Sequence, residues 1–224
     1  MKKVLVIFSI VVSLALMAAS PAAAQFGGFG KKKEEKSGGG ASQADVEVQQ
    51  EKLVKSFVAS QENLLQAQSL VADALGLKGE KEKLDAERKA LGSGSADKKS
   101  LKRSVGLSED VQKDIQERMD KGEALSDSGK KLIAQSLIPY SKSVAGVAGM
   151  VNDAKSLADG IQGQVKAAGM MGAMKVKKTF DVGLYIAPKV PGLAAGMTKQ
   201  LASIVKFAKK NGVDIPSEAT DLIP

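Results

Sequence analysis

Apolar residues at Val46, Leu53, Phe57, Leu64, Ala67, Val71 and Ala74 recur at steps of three, four and seven. That spacing places them on one stripe of a 3.6-residue helix and predicts a long first helix over residues 42–75. Gly76 and Gly79 then punctuate the pattern. Residues 80–91 (EKEKLDAERKAL) carry few apolar side chains and many alternating charges, so they read as a solvated helical arm, turned by Gly-Ser-Gly-Ser at 92–95. After a second charged stretch, Ser108 followed by Glu109 and Asp110 reads as a helix N-cap. Val111, Ile115 and Met119 give one face of a short helix that ends at Gly122. The whole arm covers 77–121.

Ser126 or Asp127 opens the most apolar segment beyond the N-terminal region, a long helix over 127–171 with an expected kink at Pro139. Gly146 and Gly149 recur fourteen residues later as Gly160 and Gly163. Glycine costs about 0.8–1 kcal/mol relative to alanine inside a helix, so four of them call for a reason. Close packing against another helix is the first reading, and a small-residue face for lipid or a partner helix is the second. Lys142, Asp153, Lys155 and Asp159 interrupt the segment, so it is not a plain membrane span.

In residues 172–191, Phe180, Val182, Leu184 and Ile186 alternate, yet the chain offers no second strand to pair with them. An extended connection packed on the helices is expected there. Pro191 suits a helix N1 position, followed by a stripe of Leu193, Met197, Leu201, Ile204, Val205 and Ala208 that stops at Lys-Lys-Asn-Gly, 209–212. Residues 217–222 can add one more turn. The fold class is therefore all-α: an elongated helical bundle with a charged helical hairpin arm and a flexible N-terminal tether. The expected domain runs over 45–212, with a tail at 213–224.

The first residues look different. Lys2 and Lys3, the apolar run Val4 to Met17, and a small-residue end describe a secretory signal peptide, with cleavage after Ala24 and Ala22 at the −3 position. A retained membrane anchor is the rival, disfavoured by Pro21 and the shortness of the strongly apolar core. Residues 25–44 combine six Gly with a Lys/Glu cluster and few bulky apolar side chains, which predicts a tether. The expected location is periplasmic or secreted.

Composition narrows the chemistry. The 224 residues contain no Cys and no His, which removes disulfides, thiolate nucleophiles, zinc ribbons and triad hydrolysis. Acid–base work would fall to Asp, Glu, Lys or Tyr alone, and no phosphate-binding or calcium-binding loop motif is present. No enzyme activity, cofactor or metal is expected. Met170, Met171, Met174 and Met197 could in principle bind soft Cu(I), but methionine beside Gly-rich helices is commonly adaptable packing.

Charge adds a surface. The net charge is +8, and it is unevenly spread: residues 97–104 hold four bases against one acid, whereas 45–75 and 105–124 are each −3. The candidate partner-binding residues are Lys98, Lys99, Lys102 and Arg103 in the arm, with Lys199, Lys206 and Lys210 on the last helix. Lysine supplies nearly all the positive charge, which suits a diffuse field better than bidentate phosphate recognition. The expected function is a non-enzymatic scaffold, accessory or chaperone-like protein that binds a protein partner or itself. The alternative is a lipid-binding protein whose helices 144–171 and 192–211 unpack onto anionic bilayers, and nucleic acid is the weakest candidate.

Overall fold

A computed structural model describes residues 42–94, 96–122 and 124–220. The expected signal peptide and nearly all of the expected tether lie outside these residues. The described residues belong to one compact unit, all-α and without a strand. The helices are α1 (Gln43–Ala74), α2 (Lys78–Ser93), α3 (Lys98–Asp120), α4 (Asp127–Gly149), α5 (Val151–Ala167), α6 (Gly169–Thr179), α7 (Asp181–Ile186), α8 (Val190–Lys210) and α9 (Ser217–Thr220).

Local chemistry sets the ends of the long elements. Ser42 and Asp45 form a capping box at the start of α1, each side chain accepting from the other's backbone N–H. Hydrogen bonds from the Ser42 hydroxyl and then from its backbone N–H hold the Asp45 carboxyl below its ordinary range. The same helix ends at Gly76, whose φ of +74° lets the Leu77 N–H return to the Ala72 carbonyl at 2.8 Å. Gly212 (φ +66°) closes α8 in the same way, with Val213 N–H on the Ala208 carbonyl at 3.0 Å.

The long α1 is the spine. Of its predicted stripe, Val46, Leu53, Phe57, Leu64, Ala67 and Val71 are buried and Ala74 is half-buried. Along it lie α4, antiparallel, and the hairpin α2–α3. The hairpin exists as expected, but it is not wholly solvated: Leu84, Glu87 and Leu91 on α2 are buried. A three-to-four-residue spacing of Leu84, Glu87 and Leu91 is enough to seat a mostly charged helix on α1.

Three expectations are corrected. The second arm helix starts at Lys98, capped by Asp97, whose carboxylate accepts from the Ser100 N–H at 2.7 Å. Ser108 lies inside that helix, its hydroxyl turned inward to Gln68 at 2.9 Å, so it is no N-cap. The helix predicted over 127–171 breaks at Met150, between α4 and α5, and again at Ala168. It continues through Pro139, whose ring is buried beside Leu137 and Tyr140 in the core. Gly146 and Gly149 weaken the helical preference just before the first break, and Gly169 (φ +64°) makes the second.

Residues 172–191 are helical, not extended. Burial there steps through Phe180, Gly183, Ile186 and Val190, a period of three to four that the apparent alternation concealed. Finally, the tail packs on the bundle: Val213 and Ala219 are buried, and the Ser141 hydroxyl donates to the Ala219 carbonyl.

Candidate functional site

Four helices form the middle of the unit, and one of their edges stays open. Helices α1 and α4 pack together, α3 lies against α1, and α8 lies against α4. Helices α3 and α8 run parallel and leave a groove between them. Three neighbouring cavities mark it, of about 370, 390 and 260 Å³.

The groove is built in steps. Val105 and Leu193 line the first cavity, Gln112 and Gln200 the second, Met119 and Phe207 the third. On each helix those residues are seven apart, two helical turns, so every rung repeats on the same face about 10.5 Å further along. The sequence therefore writes an apolar, polar, apolar order along both walls.

The middle rung continues into a buried polar chain. Gln68 on α1 donates to the Ser108 carbonyl at 3.1 Å and to Gln112 Oε1 at 3.2 Å. The Tyr140 hydroxyl from α4 reaches Gln200 Oε1 at 2.8 Å and Gln112 Oε1 at 3.2 Å. Burial pushes the Tyr140 phenol far above its ordinary range, so it stays a neutral donor. Gln112 Nε2 is buried with no hydrogen-bond partner, in a residue that lines the groove. An unsatisfied buried amide donor costs roughly 1–3 kcal/mol.

Charge differs between the rims. Helix α3 contributes Glu109 and Asp120 beside Lys113, and α8 contributes Lys206 and Lys210 at the far end. Lys113 is taken up by Asp110 at 2.9 Å. Lys206 and Lys210 are exposed and make no ion pair among the described residues.

Of the sequence candidates, Lys206 and Lys210 therefore line the groove, whereas Lys199 is exposed elsewhere on α8. Lys98, Lys99, Lys102 and Arg103 line a separate, open hollow at the start of α3. Two of these already have partners: Lys98 faces Asp181 at 3.8 Å, and Arg103 donates to the nearly buried Glu87 at 2.7 Å. Gly146 and Gly160 do allow close approach to α1, since a methyl group on them would crowd Ser60 and Val46. Gly149 and Gly163 face open space. Met197 is buried in the core while Met170, Met171 and Met174 are exposed on α6, which separates the methionine cluster into core filler and surface.

Sequence reasoning missed Gln68, Gln112, Gln200 and Tyr140, and Gln61 on α1, which lines the first cavity and donates to the Ser104 carbonyl at 3.4 Å. Gln61 and Gln68 sit within the apolar stripe of α1, and that misplaced polarity was the available signal. Among the described residues no three acids converge on a cation site, and no helix is long and apolar enough to cross a membrane. The chain matches no protein-family model, no curated protein and no solved structure in comparison.

Proposed function

We propose that this is an exported, non-enzymatic interaction protein that holds a helical segment of a partner protein in the groove between α3 and α8. The carrying observation is the open edge itself: two parallel walls with matched rungs and an unsatisfied amide donor at Gln112. A helix laid along it would present apolar residues to the Val105/Leu193 and Met119/Phe207 rungs, and a carbonyl or carboxylate on it would satisfy Gln112 Nε2 once that amide turns outward. Lys206 and Lys210 favour acidic residues at one end of that helix. Export rests on the signal-like first 24 residues, and the non-enzymatic reading on the absence of His and Cys from the whole sequence.

Gly196 supplies the test. It lines the groove, and nothing lies within 4 Å of where its side chain would begin. Gly196→Trp fills the groove without crowding the core. A partner recovered with the wild-type protein and lost with Gly196→Trp supports the proposal, provided that the two proteins unfold at similar temperatures. Equal recovery by both removes it. Recovery of a second copy of this chain, lost in the same variant, makes the partner a sister molecule.

A further inference from the structure

We infer that the corner between α5 and α6 is a docking point for an anionic lipid bilayer. This does not rest on the groove, which lies on other helices. Helix α6 buries none of its residues. Met170 and Met171 are 93% exposed and Met174 77%, the three most exposed large apolar side chains among the described residues.

The sequence around them has a specific order. Ala167 through Met174 (AAGMMGAM) carries no polar side chain, and Lys166 and Lys175 bracket it. Lys177 and Lys178 follow, and no acid occurs between Asp159 and Asp181. All four lysines are exposed and make no ion pair among the described residues. Gly169, at φ +64°, turns the chain between the two helices, so the methionines stand at the start of α6 and the three lysines at its end.

A bilayer surface supplies what each half lacks. Unbranched methionine side chains adapt to an irregular apolar medium, and the acyl boundary is one. Lysine stems can lie along that boundary while the ammonium groups meet lipid phosphates. Eight uncharged residues are far too few to span the hydrocarbon, so the corner dips in and does not cross. A continuous anionic surface also matches a segment with four cations and no acid better than a protein face of mixed charge. Of the two segments expected to unpack onto bilayers, 144–171 ends in the exposed Met170 and Met171, whereas the stripe of 192–211 is packed through Met197, Leu201 and Ile204.

The test uses the chain from Gln25 onward, which keeps the entire described unit and omits the apolar leader. Flotation is measured with phosphatidylcholine vesicles, with and without about one third phosphatidylglycerol, at low and high salt. Binding to the anionic vesicles is expected, weakened by salt, and weakened at least about tenfold by M170D/M171D and by K175E/K177E/K178E, given that one surface lysine is worth about fivefold. K199E, on α8, leaves it unchanged. These side chains are exposed, so the fold tolerates the changes, and circular dichroism checks that. No flotation of the unmodified chain overturns the inference, and so does equal flotation of M170D/M171D. Equal binding to neutral vesicles overturns it as well. None of these results touches partner recovery in Gly196→Trp, so the two ideas fail separately.

Discussion

The Tyr140 hydroxyl on α4 donates to Gln200 Oε1 on α8 at 2.8 Å, and 3.2 Å from the same hydroxyl lies Gln112 Oε1 on α3. One phenol thus ties together both walls of the groove. Tyr140→Phe removes the tie and takes the hydroxyl donor from Gln200 Oε1, while Gln112 Oε1 keeps its hydrogen bond from Gln68 Nε2. The expected loss is about 1–3 kcal/mol, read by urea unfolding of the variant against the wild type.

That phenol also gives the stability a pH dependence with a definite sign. Burial raises the Tyr140 pKa in the folded protein, while the unfolded chain ionises near the ordinary value of about 10. The contribution of the buried phenol is fully present below the unfolded value and is lost as pH rises above it towards the folded one. The stability difference between wild type and Tyr140→Phe should therefore shrink on going from neutral pH to above about pH 10. A constant difference across that range would mean that the phenol ionises freely in the fold.

The glycines on α4 separate close packing from mere permissiveness. Alanine for glycine in a helix interior gains about 0.8–1 kcal/mol, and Gly149, which faces open space at the last position of α4, should show part of that gain. A methyl at Gly146 meets the Ser60 hydroxyl, so Gly146→Ala should fall short of that gain by about 1 kcal/mol or more. In a Ser60→Ala background the shortfall disappears. Additive effects across this double-mutant cycle would mean that the Ser60 hydroxyl does not resist a methyl at 146.

Arg103 holds a buried carboxylate, and its removal should show that. Glu87 has a side chain only 8% exposed, and its Oε2 accepts from Arg103 while Oε1 is without a partner. Arg103→Ala leaves the charge uncompensated and should lower the melting temperature, whereas adding Glu87→Leu should recover most of the loss. An Arg103→Ala protein as stable as the wild type would return Arg103 to the partner-binding candidates.

What the sequence made legible was whatever rests on one element. The stripe of α1 and the proline start and glycine stop of α8 are local signals, and the structure follows them. The break at Met150 was hidden because the proline that could have marked one, Pro139, is carried by the packing around Tyr140. Helices α6 and α7 were hidden because Phe180, Val182, Leu184 and Ile186 satisfy a two-residue period while Phe180, Gly183 and Ile186 satisfy the helical one. The groove was not legible at all. It depends on α3 and α8 not meeting, and a gap between two helices 88 positions apart leaves no mark on either.

The most direct test of the central claim is site-specific photo-cross-linking in the native cell, with the probe placed in turn at Gln116 and Ser203, which line the groove, and at Lys131 and Lys155, which are exposed elsewhere. The account predicts the same single partner protein from both groove positions, lost when Gly196→Trp is added, and no such adduct from Lys131 or Lys155. Adducts of equal strength from all four positions, or none from Gln116 and Ser203, would contradict it.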